Sequence, residues 1–181
     1  MSQDNPDIRT QVEESRGPQK KLELLIPGLR NYRKLEDIRV ADNLLRNQVA
    51  DKLDLVKSNL EGLRKQMVSA GDYTNLSNVG SLISQVQQLG GQVRHAEQGY
   101  SGFVATISMN QSRLDQLYDY DDAFVTSAFS LLSLTSPPEM VYDPASPASV
   151  VTYLGKVSAA IVDFRQKWSV RMEAVKGILV Q

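Results

Sequence analysis

Between Leu29 and Ser69 no proline interrupts the chain, and apolar residues recur three and four apart: Leu35, Ile38, Leu45, Val49, Leu53, Val56, Leu60, Leu63 and Met67. That spacing draws one apolar stripe along one side of an α-helix and leaves the other sides to Lys, Arg, Asp, Glu, Gln and Asn. At 1.5 Å per residue such a helix is about 60 Å long, too long to be wrapped by a small core. The rest of the chain must therefore lie alongside it.

The remaining sequence supplies segments of matching kind. Gly71 can close the first helix in a left-handed conformation. A second helix is expected from Thr74 or Asn75 to Gln98, with Leu76, Val79, Ile83, Val86 and Val93 on one face. Gly90 and Gly91 inside it suggest a close helix approach or a local kink. Ser108 or Asn110 can cap a third helix running to about Leu134, with Leu114, Leu117, Phe124, Ala128 and Leu131 as its stripe. Thr135 to Pro147 holds Pro137, Pro138, Pro144 and Pro147 and is expected to be an extended crossing loop. A last helix from about Ala148 to Val180 carries Val150, Leu154, Val157, Ile161, Phe164, Trp168, Val175 and Leu179, with Trp168 expected against the first helix. No run alternates apolar and polar residues as a half-buried strand would. The expectation is an all-α, elongated antiparallel bundle of four main helices with coiled-coil-like packing. It occupies residues 18–181 and follows a flexible polar tail at 1–17. Leu22, Leu25 and Ile26 form a short amphipathic turn before Pro27 and Gly28.

Composition narrows the function. An apolar fraction of 41% in 181 residues suffices for one core. A net charge of -1 and a pI near 5.9 argue against a general nucleic-acid or membrane-surface binder, since both need a basic excess, and leave only local patches open. With no cysteine, disulfides and thiolate metal sites are excluded. The opening MSQDNPDIRT has neither a basic n-region nor an apolar h-region, and no window reaches the roughly eighteen apolar residues of a spanning helix. The reading is a cytoplasmic protein that requires no cofactor or metal.

Enzyme motifs fail on inspection. Gly99-Tyr100-Ser101-Gly102-Phe103 has the outline of a nucleophile elbow, but that motif needs glycine at the fifth position and a preceding strand. Gly155-Lys156 lacks the upstream glycine and the following Ser or Thr of a phosphate loop. His95, the single histidine, follows Gln92 by three residues and cannot supply the Glu-x-x-His pairs of a di-iron bundle. Asp119 and Asp121 diverge by about 200° around a helix, so they do not chelate together, and Tyr118 to Asp122 reads as a solvated acidic face with one buried member. The basic cluster Lys20, Lys21, Arg30, Arg33, Lys34, Arg39 and Arg46 has only Tyr32 for a base to stack on. It is read first as an intramolecular match to that acidic face, and second as an anion site.

Two carboxylates stand where the seam expects an apolar residue. Two steps of four adjoin at Leu45, Val49 and Leu53, and counting back from Leu45 places Asp42 in the stripe. Asp121 occupies the equivalent place between Leu117 and Phe124. Both need partners if buried.

Ile26-Pro27-Gly28-Leu29 with Tyr32, then Glu36-Asp37-Ile38-Arg39 and Ala41-Asp42 with Arg46, resembles the opening of a group of uncharacterised prokaryotic helical proteins. Gly99 to Phe103, followed by Leu114 to Tyr118 and Asp121, is similar to their second shared segment. The chain departs from the group after Phe103, where Val104 and Ala105 replace a second aromatic and an acid. The resemblance implies a helical fold and a place to look, with no activity attached. If the second helix folds back near Asp72, Gly99 to Phe103 comes beside Ala41 to Leu45, and His95 near Val49. Arg39, Asp42, Arg46, His95, Tyr100, Ser101 and Asp121 then form either a buried polar lock or the floor of a small site. The functional expectation is a non-enzymatic interaction or scaffold protein, acting through a protein partner or self-association. The alternative is a small-ligand or anion-binding protein, including a minor enzyme, at that end of the bundle.

Overall fold

A computed structural model describes residues 22, 24–26, 38–96, 111–140 and 142–179. Four long helices account for most of them: α1 (Ile38–Ser69), α2 (Leu76–Arg94), α3 (Gln111–Leu134) and α4 (Pro147–Leu179). The expected tail at 1–17, the start of the first helix before Ile38, and the Gly99 to Phe103 segment lie outside the described residues. No helix is long and apolar enough to cross a membrane among the residues described.

The 32 residues of α1 make a rod of about 48 Å. Its stripe is buried throughout: Leu45, Val49, Leu53, Val56, Leu60, Leu63 and Met67 are each at most 1% exposed. Buried with it in the core are Val79, Ile83, Val86 and Val93 of α2, Leu117, Phe124, Ala128 and Leu131 of α3, and Val150, Leu154, Val157, Ile161, Phe164 and Trp168 of α4. Leu82 and Leu89, between the expected stripe positions of α2, are buried as well, because α2 packs on two neighbours, α1 and α4. Val175, the next expected seam position of α4, is only half-buried. Ahead of the bundle, the Ile26 amide donates to the Leu22 carbonyl at 2.8 Å, and both side chains enter the core.

The bundle consists of two antiparallel hairpins laid side by side. α1 packs on α2 and α3, and α4 packs on α3 and α2. Lys52 of α1 lies 5.3 Å over the Phe129 ring of α3, and seven residues further on in each segment Asn59 donates to Ser136, just past the end of α3, so α1 and α3 run parallel. Trp168 meets α3, where its stripe alone suggested α1: its ring centroid lies 5.0 Å from that of Phe124, the two rings tilted. α1 and α4 lie across the bundle from one another.

The end distant from Asp42 is built by local rules. Gly71, at φ 73, ends α1: the Asp72 amide donates to Met67 O at 2.9 Å and the Gly71 amide to Val68 O at 3.1 Å. This is the paired closure of a Schellman motif. The segment after α3 joins two neighbouring helices, α3 and α4, and reaches over to the turn between α1 and α2. It folds over the bundle end, with Met140 and Tyr142 against the core and the Tyr142 hydroxyl donating to Asp72 Oδ2 at 3.2 Å. Asp143 accepts the Ala145 amide at 2.9 Å in a side-chain turn, and Pro147 opens α4 where no amide is needed. α2 runs through Gly90 and Gly91 without a break. A methyl at Gly90 would lie 3.8 Å from Leu53 Cβ, an ordinary contact, so neither a forced approach nor a kink accounts for that pair.

Candidate functional site

At the other end, four charged side chains from three helices meet inside the core. Asp42 sits in the first turns of α1, and Arg46 follows one turn later on the same face. Arg46 Nε donates to Asp42 Oδ2 at 2.8 Å. Arg171, from the last third of α4, donates through Nη2 to Asp42 Oδ1 and through Nε to Asp121 Oδ1 of α3, each at 2.5 Å. Arg46, Arg171 and Asp121 are at most 1% exposed, and Asp42 is 22% exposed. Two carboxylates and two guanidinium groups cancel, which is the condition for burying charge at bearable cost.

The fourth helix joins through its backbone. Arg46 Nη1 donates to Val93 O at 3.2 Å and Arg94 O at 3.3 Å, the last carbonyls of α2. Those carbonyls have no intrahelical donor, and a cation there also meets the negative end of the helix dipole. Arg94 itself turns outward to Asp51 at 2.7 Å and Asp54 at 3.0 Å. Arg171 Cζ lies 5.5 Å from the Phe124 ring centroid and 5.8 Å from that of Trp168, so aromatic faces support the cation that its carboxylates orient.

Burial alone pushes the Asp42 carboxyl up, but the Arg171 and then the Arg46 guanidinium more than offset it, holding Asp42 below its ordinary 3.8. Asp42 is thus ionised at neutral pH and cannot act there as a general acid. Each of its oxygens already accepts a guanidinium N–H. Among the described residues no group of three His, Asp or Glu side chains is arranged to hold a metal ion.

Of the residues singled out by sequence, Asp42, Arg46 and Asp121 come together. Asp121 pairs with Arg171, a residue outside the basic cluster singled out by sequence; Lys20, Lys21, Arg30, Arg33 and Lys34 of that cluster lie outside the described residues. Asp119 is exposed, as its opposite helical phase requires. His95 is also exposed, in the turn that ends α2, its amide donating to Gly91 O at 3.0 Å. Arg39 lies in α1 with its side chain outside the description, and Tyr100 and Ser101 are outside the described residues. Arg171 escaped the sequence reading. Its signal was the seven-residue step between Trp168 and Val175, which leaves the intervening seam position, three after Trp168, to an arginine.

No protein-family model, curated protein or solved structure matches this chain.

Proposed function

We propose that this chain is a non-enzymatic helical interaction or scaffold protein whose buried charges form a structural lock. One observation carries the reading: Asp42, Arg46, Asp121 and Arg171 pair with one another across three helices, and Arg46 also holds the end of α2. A neutral cluster that ties four helices sets which turn of each helix faces which, and sequence-specific polar contacts of this kind are the best-attested way to fix register. Nothing in the cluster supplies a nucleophile with its base.

The test replaces all four charges by apolar residues of similar length: Asp42→Leu, Arg46→Met, Asp121→Leu and Arg171→Met. A lock predicts a folded helical variant that captures the same proteins as the native chain from its host, as judged by mass spectrometry. It also predicts no calorimetric binding of inorganic phosphate by the native chain. Loss of the captured proteins from a variant with unchanged helical content, or phosphate binding that Arg46→Met abolishes, would establish the anion site instead.

A further inference from the structure

Each of the two hairpins, α1 with α2 and α3 with α4, pairs its own buried charges. Asp42 and Arg46 of α1 meet at 2.8 Å, while Asp121 of α3 and Arg171 of α4 meet at 2.5 Å. Other polar closures follow the same division. Arg46 holds the last carbonyls of α2, Arg94 of α2 reaches Asp51 and Asp54 of α1, and the Tyr153 hydroxyl of α4 donates to Leu134 O at the end of α3. Between the hairpins, Arg171 Nη2 donates to Asp42 Oδ1. Further contacts across that plane each have an uncharged member: Asn59 with Ser136 at 3.2 Å, Tyr142 with Asp72 at 3.2 Å, and Arg165 with Gln85 at 3.4 Å. None of those six side chains is fully buried, so water can take the place of the partner lost.

Other planes of division cut ion pairs. Parting α1 and α3 from α2 and α4 would separate Arg171 from both carboxylates, Arg46 from the α2 carbonyls, and Arg94 from its two aspartates. Releasing α4 alone would strand Asp121, which is 0% exposed. A stranded buried charge costs far more than a paired one, so the bundle opens most readily between its hairpins, each leaving as a charge-paired unit.

Resting on the interaction reading above, we infer that this chain associates with a second copy of itself by exchanging hairpins, α3 and α4 of each copy seating on α1 and α2 of the other. What the opened face requires fixes the occupant. It takes the apolar stripes of α3 and α4 together with an arginine placed to meet Asp42 Oδ1, and a second copy brings both in the geometry already observed. Every contact of the closed chain recurs in the exchanged pair, so the balance is set by the connection between the hairpins and not by new surface. Residues 95–110 join α2 to α3, and a tether of that length spans at most roughly 50 Å. It presents one hairpin to the other at an effective concentration on the order of 1 mM, and exchange competes once the chain itself approaches that concentration.

Sedimentation velocity of the full chain, held at about 1 mM and then diluted to about 10 µM, reads the outcome. A dimer should be present and should decay slowly, because return requires the hairpins to part, and its circular dichroism and tryptophan emission should match those of the monomer. Because the chain has no cysteine, a mixture of Asn59→Cys and Ser136→Cys chains should form a disulfide-linked pair at the higher concentration. Neither variant alone should do so. Two variants of equal net charge test the division itself. Asp42→Leu with Arg46→Met leaves Asp121 and Arg171 together in one hairpin, whereas Arg46→Met with Asp121→Leu leaves Asp42 and Arg171, one in each. The second should exchange about tenfold more slowly or worse, since opening strands both charges. A native chain that stays monomeric, a dimer that dissociates at once on dilution, linking of Asn59→Cys alone as readily as the mixture, or equal exchange rates in the two double variants would overturn the inference. Should either double variant lose its helix, the native chain and the cysteine mixture still decide. None of these results depends on the captured host proteins or on phosphate, so the two readings fail separately.

Discussion

The two ends of this bundle are closed by different physics. At the end holding Gly71, Asp72, Tyr142 and Tyr153, the chain turns mainly by local rules, through a left-handed glycine, a side-chain turn at Asp143, a proline at the first position of α4 and the Tyr153 hydroxyl on Leu134, with neutral hydroxyl ties such as Tyr142 to Asp72, 70 residues away, and no buried charge cluster among the described residues. At the end holding Asp42, Arg46, Asp121 and Arg171, the closing contacts join residues far apart in sequence, 129 apart for Arg171 and Asp42 and 50 for Arg171 and Asp121. Local closures tolerate loss one at a time, because each leaves its neighbours satisfied or solvated. A buried charge cluster does not, because removing one member strands the rest.

The largest expected effect follows from that asymmetry. Arg171→Ala leaves Asp121, which is fully buried, and Asp42 without their shared cation, at a cost of about 3 to 5 kcal/mol in urea unfolding. Removing all four charges together should recover much of it. If Arg171→Ala costs no more than a surface substitution, the cluster does not hold the helices.

Trp168→Ala tests the apolar wall of the same cluster. The ring is 7% exposed and packs on Phe124, so the cost should be about 3 kcal/mol or somewhat more. Native tryptophan emission as red as that of the denatured chain would contradict this placement.

The two ends should also separate by pH. Asp42 is held below its ordinary value, so its contribution is present above the unfolded carboxyl value of about 4 and is lost as pH falls through the native one. Burial pushes Tyr153 up to about 12, and its hydroxyl donates to Leu134 O at 3.1 Å. Its contribution is present below the unfolded tyrosine value of about 10 and is lost as pH rises through the native one. Acid should therefore loosen the Asp42 end first, and alkali the Tyr153 end. Amide exchange near Arg94 and tyrosinate absorbance report the two separately, and Asp42→Asn should flatten only the acid limb.

Smallest are the glycine effects, which differ in sign. Gly71→Ala should cost roughly 1 to 2 kcal/mol, because an alanine at positive φ is strained whatever the space around it. Gly91→Ala, exposed inside α2 with open space above it, should stabilise by up to about 1 kcal/mol. A loss at Gly91 would point to contacts on that face.

By itself the sequence determined the helices and their inward faces. The three-and-four spacing of Leu45 to Met67 fixes which side of α1 is dry, and Gly71, Pro147 and the prolines before it punctuate the chain, because periodicity and backbone conformation are local properties. It also marked Asp42 and Asp121 as polar residues in apolar positions, which is a demand for partners. Which partners answer, only the tertiary structure decided. Arg46 was legible because one helical turn brings it to Asp42. Arg171 was not, because its role depends on α4 lying beside α3 and on the end of α4 returning to the start of α1, and neither relation leaves a trace in spacing. The same holds for the α2 carbonyls taken by Arg46, and for Trp168, which meets α3 because the two hairpins lie side by side with α1 and α4 across the bundle. Short-range order is written in neighbouring residues, whereas the pairing of buried charges is settled where four helices converge.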